Sequence, residues 1–283
     1  MKILITGGCG YTGTILTNSL IKKDYKVKVV DTQWFGNYLL KNEKLEVLKK
    51  DVRNIEVSDL KNIDKVVHLA NIANDPSVEL NSKLSWEVNV LATQRLIEYA
   101  VKNKVKQFIF ASSGSVYGIK IEDQVTEDLP LLPISTYNKT KMIAEKVLKS
   151  YENDIIVHTI RPATVCGFSP RMRLDVSVNM FVFQALKDKI LKVHGGKQIR
   201  PNIHIQDLIN VYNHFIENPN LPAGAYNAGF ENLSILEIAQ KVSKLIPSKI
   251  EISHNNDPRS YRQNSDKLVS SGFKQRFTVE DAI

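Results

Sequence analysis

Lys2-Ile3-Leu4-Ile5-Thr6-Gly7-Gly8-Cys9-Gly10-Tyr11-Thr12-Gly13 carries a short apolar run into a glycine-rich turn and out into a helix-like stretch. Glycines stand at 7, 10 and 13, between a strand predicted over Lys2 to Thr6 and a helix predicted over Tyr11 to Lys22. The chain must turn sharply there, let its backbone approach a pyrophosphate, and pack the helix closely on the sheet. Each task excludes a Cβ, and a helix N-terminus favours an anion. Glycines by themselves also mark ordinary turns. The strand before and the helix after make this one read as a dinucleotide-binding turn, with Gly7, Gly10, Tyr11, Thr12 and Gly13 at the ligand.

The same alternation continues outward from this turn. Strands are predicted at Lys26 to Val30, Leu45 to Lys49, Lys65 to Leu69, Gln107 to Ala111 and Ile155 to Ile160. Helices are predicted over Asn81 to Asn103, where Trp86, Val90, Thr93 and Ile97 recur at helical spacing, and over Thr136 to Tyr151. Strands alternating with helices imply a parallel sheet covered on both faces, a doubly wound α/β (Rossmann) architecture. Asp31 closes the second strand, about 20 residues beyond the turn, where a carboxylate would accept hydrogen bonds from the adenosine ribose. The same charge would repel a 2′-phosphate, so NAD is expected rather than NADP.

After Arg161-Pro162 the pattern loosens. Short strands are predicted at Ile190 to His194, Asn202 to Ile205 and Ala225 to Asn227, and helices at Gln206 to Glu217 and Ser234 to Leu245. Asn218-Pro219-Asn220 and Pro222-Ala223-Gly224 punctuate them. The expected organisation is a NAD-binding domain over 1–165, to which some later segments return, and a smaller C-terminal α/β lobe over 166–283 that holds substrate.

At 283 residues and 43% hydrophobic composition the chain can bury a sizeable core. Its net charge of +8 sits on lysines scattered along the sequence, which read as solvated faces that attract anionic ligands. There is no basic stripe interleaved with aromatics, so a nucleic-acid partner is not expected. The opening apolar run is too short for a signal peptide, and no stretch approaches the roughly 20 apolar residues of a membrane span. Cys9 and Cys166 lie too far apart in sequence to suggest a disulfide framework or a metal knuckle. A cytoplasmic protein without metal is expected.

Chemistry enters with Tyr137-Asn138-Lys139-Thr140-Lys141, which puts a phenol and an amine four residues apart on one helical face. A phenol normally titrates at about 10 and is a poor base at neutral pH. A nearby ammonium and a positive nicotinamide ring would stabilise phenolate and make Tyr137 a usable general base. Such a pair is common in helices and specific only in company. Phe110-Ala111-Ser112-Ser113-Gly114-Ser115-Val116-Tyr117-Gly118 supplies that company, crowding small hydroxyl residues at the carboxyl edge of a buried strand, where ligands bind in such sheets.

Glycines spaced three plus three, Asp31, the serine-rich strand end and the Tyr137/Lys141 pair, in this order, resemble the extended branch of the short-chain dehydrogenase/reductase family. The likeness covers essentially the whole chain and points to its NAD-dependent nucleotide-sugar epimerases and dehydratases. It implies that Asp51 and Val52, in Asp51-Val52-Arg53, contact the adenine. Leu69, Ala70 and Asn71, in His68-Leu69-Ala70-Asn71, would pass the cofactor, with Asn71 where a second alanine is commoner. Ser113, three residues before Val116, would hydrogen-bond the reacting sugar hydroxyl, and Ser112 would lie beside the nicotinamide. Ser169-Pro170-Arg171-Met172-Arg173-Leu174-Asp175 followed by Asn179, and Arg200-Pro201-Asn202-Ile203-His204-Ile205-Gln206-Asp207, resemble segments that hold the substrate pyrophosphate through Asn179 and Arg200. An arginine suits that task because its planar fork matches phosphate oxygens. Arg259 and Arg262, near Tyr261, are weaker candidates for closing over the nucleotide, while His68 and His204 read as structural. Relatives pair through the two long helices, which implies a homodimer.

Members of such a family share one step, in which Tyr137 would take the sugar C4 hydroxyl proton while a hydride leaves C4. The 4,6-dehydratases add an Asp-Glu pair after the catalytic hydroxyl residue. This chain has Gly114-Ser115 there, which disfavours dehydration. The resemblance leaves a 4-epimerase ahead of a C4 dehydrogenase or reductase, the latter suggested by the likeness of residues 171–175 to enzymes acting on a GDP-heptose. A non-catalytic NAD sensor is the alternative from another class. Such proteins commonly lose the tyrosine or lysine, and both are present here.

Overall fold

The computed structural model describes residues 1–254 and 260–283, so Arg259 lies outside the described residues. Among the described residues twelve strands are formed: β1 (Lys2–Thr6), β2 (Lys26–Asp31), β3 (Leu45–Lys49), β4 (Lys65–His68), β5 (Gln107–Ala111), β6 (Ile156–Pro162), β7 (Thr164–Cys166), β8 (Ile190–His194), β9 (Ile199–His204), β10 (Gly224–Ala228), β11 (Glu231–Ser234) and β12 (Lys249–Ser253). The α-helices are α1 (Tyr11–Lys22), α2 (Asp75–Leu80), α3 (Ser82–Trp86), α4 (Ala92–Lys102), α5 (Thr136–Lys149), α6 (Ser177–Asp188), α7 (Ile205–Glu217), α8 (Ile235–Leu245), α9 (Asp266–Ser270) and α10 (Val279–Ala282).

Seven strands build one parallel sheet in the order β10-β6-β5-β4-β1-β2-β3. Successive side chains of β1 point to opposite faces, and both faces are dry. Ile3 and Ile5 pack with Leu16, Leu20, Tyr212 and Phe215 from α1 and α7. Leu4 packs on the other side with Leu96, Ile97, Ala144 and Leu148 from α4 and α5. That two-sided burial is why the inner strands read as continuous apolar runs. The chain runs outward from β1 through β2 to β3, then returns to lay β4 on the other side of β1. The strand order reverses between β1 and β4, and doubly wound sheets take their ligands in the crevice outside the carboxyl ends of the strands at such a reversal.

The segment expected as one helix over Asn81 to Asn103 is helical but not uniform. α3 and α4 are joined by a wider π-helical turn at Glu87–Leu91. Buried Asn89 sits in it, with its Oδ1 accepting from Ile72 N (2.8 Å) and its Nδ2 donating to Thr140 Oγ1 on α5 (3.1 Å). A side chain that must reach two neighbouring elements gives a reason for the local widening, and such turns recur near functional sites.

The C-terminal half contributes to both regions. β10 extends the central sheet beside β6, and α7 covers its α1 face. The remaining strands form a mixed sheet, β11-β9-β7, and a parallel pair, β12-β8. These surround a separate core that includes Phe181, Val193 and Val242. Among the described residues no helix is long and apolar enough to cross a membrane.

Candidate active site

The glycine turn lies at the crevice for reasons of space. Gly7 has φ +75° and accepts no Cβ, which would stand 2.6 Å from Ala70 N. A Cβ on Gly13 would collide with the Gly7 carbonyl and stop α1 from seating on the turn. Gly10 caps α1 with no side-chain hydrogen bond, leaving the first-turn N–H groups of Tyr11, Thr12 and Gly13 without a side-chain acceptor. Among the described residues, Asn71 Oδ1 is buried at the end of the β4 side with no hydrogen-bond partner, while its Nδ2 donates to Ile72 O. An uncapped helix terminus, a backbone cradle and an orphaned acceptor beside it fit a dinucleotide pyrophosphate and its flanking groups.

Asp31 closes β2 with both carboxylate oxygens turned to the backbone, accepting from Cys9 N (3.0 Å) and Gln33 N (2.6 Å). It therefore joins the glycine turn to the loop after β2. Asp51 accepts from the backbone N of Arg53 (2.8 Å), and its carboxylate also pairs with the Arg53 guanidinium (2.9 Å), which reaches Glu87 in turn. Val52 is buried next to it. Leu69 and Ala70 continue from β4 against Thr6. The thiol of Cys9 is buried and pushed up to about 12, chiefly by burial, so it is an inert part of the turn.

Across the crevice, Ser135 caps α5 by accepting from Asn138 N, and the first turns of that helix present Tyr137 and Lys141. Ser113 follows β5, caps a short turn over Gly114–Tyr117 and stands near enough to the Tyr137 phenol to lower it. The Ser113 hydroxyl also shares a hydrogen bond with Ser115 Oγ (2.7 Å), which donates to Asn138 Oδ1 (2.6 Å). Lys141 is almost fully buried, donates to the Ala111 carbonyl (2.7 Å) and lies over the Phe110 ring. Burial drags its ammonium down to about 7, against a smaller opposing pull from Glu145.

One electrostatic expectation needs correcting. The sequence suggested that the Lys141 ammonium acidifies the Tyr137 phenol. Burial instead holds that phenol above its usual range, and the cationic side chain acting most to lower it is Arg173, with Ser113 assisting. Lys141 spends its charge on a carbonyl and an aromatic face. Arg173 lies 36 positions further along the chain than Tyr137, so no local spacing could flag it.

Arg173 belongs to the segment after β7, which folds back over the glycine turn. Tyr11 donates its hydroxyl to Gly167 O (2.6 Å), and Ser169 Oγ donates to Tyr11 O (2.8 Å). Asn179, buried at the start of α6, accepts from Gly167 N (2.9 Å) and donates to Tyr11 OH (3.2 Å) and Arg173 O (2.9 Å). Its amide thus ties this segment together. Arg173 pairs with Asp175 (2.6 Å), which accepts from Asn74. Arg200, on β9, has its Nη1 donating to Ile199 O (3.3 Å). Arg262 is exposed, whereas Tyr261 packs near Gly114.

Beneath the site lies a buried polar group missed in the sequence. Ser112 donates to Glu145, and Arg161 binds the same carboxylate through two nitrogens (2.7 and 3.1 Å). Arg161 also donates to Tyr117 OH (2.7 Å), which donates to Asn227 Oδ1 (2.8 Å). The signal was present in that Glu145 repeats the four-residue spacing of Tyr137 and Lys141. His68 is structural, its ring nitrogens engaged by Thr6 (2.6 Å) and Thr93 (2.8 Å), and burial pulls it down to about 3. His204 caps α7 and stacks on Phe277.

Comparison with known proteins gives this arrangement its relatives. The chain is 30% identical over 263 residues to YtcB of Bacillus subtilis, described as an uncharacterised UDP-glucose epimerase, covering 87% of this chain and 82% of that protein. It is 28% identical over 264 residues to UDP-glucuronic acid decarboxylase 1 of Danio rerio, where it spans 62% of the relative's length. UDP-glucuronic acid 4-epimerase of Bacillus cereus, solved with UDP-glucuronic acid and NAD, superposes with a TM-score of 0.88 at 27% identity, covering 100% of this chain and 96% of that one. These relatives are enzymes of nucleotide-sugar chemistry. The family model described as "NAD dependent epimerase/dehydratase family" matches residues 3–229, from the first strand of the sheet to the end of β10, and the chain belongs to that family of NAD-dependent enzymes.

Proposed function

We propose that this enzyme is a 4-epimerase of a UDP-activated sugar. The observation that carries the reading is Tyr137 on the first turn of α5, with Ser113 close enough to lower its phenol, Lys141 one turn further along the helix and Gly114-Ser115 where dehydratases carry their acid pair. Bound NAD supplies the hydride acceptor. Ser113 orients the C4 hydroxyl, and Tyr137 removes its proton and later returns one. Arg173 provides the protein's largest share of the positive charge that a phenolate requires, and Lys141, poised near neutrality, stands one turn further along α5. The first turn of α1 holds the dinucleotide pyrophosphate, with Asp31 on its ribose, Asp51 and Val52 toward the adenine, and Leu69 to Asn71 and Ser112 along its length. Arg200 takes the substrate pyrophosphate, and Asn179 supports it from the segment after β7.

A dehydratase is disfavoured because Gly114-Ser115 supplies no acid–base pair after Ser113. A side chain at position 114 would press on Tyr261 Oη and Gln263 Oε1, each 3.0 Å from the Cβ position, so an acid cannot be accommodated there without displacement. The second reading, a C4 dehydrogenase that releases the ketone, rests on residues Arg171 to Asp175. In either case two copies would pair through the outer faces of α4 and α5, where Leu91, just before α4, is 55% exposed.

Purified enzyme incubated with UDP-glucose, UDP-galactose and UDP-glucuronic acid, with products resolved by NMR, separates these readings. The expected result is a mixture of C4 epimers from one of them, with no net build-up of reduced dinucleotide. Stoichiometric reduction with release of ketone, or loss of carbon dioxide from the glucuronic acid, overturns the epimerase assignment.

A further inference from the structure

The loop after β2 presents Trp34 and Phe35 to solvent at 60% and 62% exposure, with Tyr38 close behind at 48%. Large aromatic side chains so placed contribute little to the core. Phe35 nevertheless has one specific partner. The Arg171 guanidinium lies 4.0 Å from its ring centroid, well within cation–π range. Arg171 comes from the segment after β7, which is hydrogen-bonded to the glycine turn at Tyr11, and the Asp31 carboxylate also acts on its charge.

Three anchors make this contact a bridge. The loop is fastened to Asp31 through Gln33 N, and Asp31 holds the turn through Cys9 N. The segment carrying Arg171 is fastened to Tyr11 by Gly167 and Ser169. Between these fixed points lies the span from Asp31 to the first turn of α1, along which the adenosine ribose and pyrophosphate run in the reading above. We propose that Arg171 and Phe35 form a clasp across the adenosine half of the dinucleotide groove, which slows NAD release and keeps one cofactor molecule in place through successive turnovers. The inference rests on the NAD-binding reading of that groove.

Retention has a chemical purpose in an epimerase. The sugar is oxidised at C4 and must recover its hydride from the same dinucleotide, so losing the dinucleotide midway strands a 4-keto sugar. An enzyme that exchanges cofactor at every turnover has no use for such a clasp.

The test is release of a fluorescent etheno-NAD from the loaded full-length protein into excess unlabelled NAD. Arg171→Ala and Phe35→Ala are each expected to release it roughly two- to five-fold faster, the loss of one solvent-exposed cation–π contact. The double variant should be no faster than either single one, because both remove the same contact. Leu40→Ala, on the same loop and 65% exposed, should match wild type and controls for loop truncation. Wild-type release from both single variants, or rate effects that multiply in the double variant, overturns the clasp while leaving the cofactor site intact. Failure of the wild-type protein to bind etheno-NAD or NAD sinks the cofactor reading and the clasp together.

Discussion

Lys141 and Arg161 are cations of nearly equal depth, 3% and 5% exposed, and both feel Glu145, yet they are treated in opposite ways. Burial would lower Arg161 as well, but its bidentate pairing with Glu145 more than offsets that and holds the guanidinium above its ordinary range. Lys141 has a carbonyl and the face of Phe110 in place of a carboxylate, and burial wins. The difference teaches what each is for. A cation matched by its own carboxylate fixes structure, whereas one left near its neutral form is available to influence a reaction.

Substitution sharpens this contrast. Lys141→Met should reduce turnover by roughly three orders of magnitude, within the range of a lost acid–base contribution, without lowering the melting temperature. A melting curve paired with a product assay checks both halves. Arg161→Met should do the reverse at the level of the fold. Stranding Glu145 in the interior costs about 3–5 kcal/mol, readable in urea unfolding, and Arg161→Met combined with Glu145→Leu should recover much of it.

The pH dependence follows from the sign of the Lys141 shift. Its amine titrates at about 7 when folded against an ordinary 10.5, so the unfolded chain binds more protons between those values. Stability therefore rises as pH climbs from about 7 toward 10.5, and Lys141→Met should remove that increment. Unfolding free energies at several pH values, in both proteins, test this. The smallest effect belongs to an exposed pair. Lys23 and Glu217 join α1 to α7 at 2.7 Å in open solvent, and Lys23→Ala should cost less than about 1 kcal/mol.

Much of this was legible along the chain because the relevant physics is local. The glycine turn, the strands of the central sheet and the Tyr137/Lys141 pair all depend on spacings of a few residues, and β1, α1 and α5 appear at their expected positions. What stayed hidden depends on contacts between distant segments. Arg173 becomes the charge beside Tyr137 only because residues 167–179 fold back onto Tyr11. The Arg161–Glu145 pair requires β6 to lie against α5, and the π-helical turn at Asn89 answers to Ile72 and Thr140. α6 escaped notice although Val178, Phe181 and Ala185 are buried at helical spacing, because the segment before it read only as substrate loop.

The most direct test follows the near-ultraviolet absorbance of the enzyme-bound dinucleotide after rapid mixing with the sugar nucleotide that the product assay identifies. In the wild-type enzyme the absorbance of reduced dinucleotide should rise and settle at a low steady level without accumulating, and Tyr137→Phe should show almost no rise while binding both ligands. Hydride transfer at an undiminished rate in Tyr137→Phe would contradict the assignment of Tyr137 as the proton acceptor, and with it the catalytic site described around it.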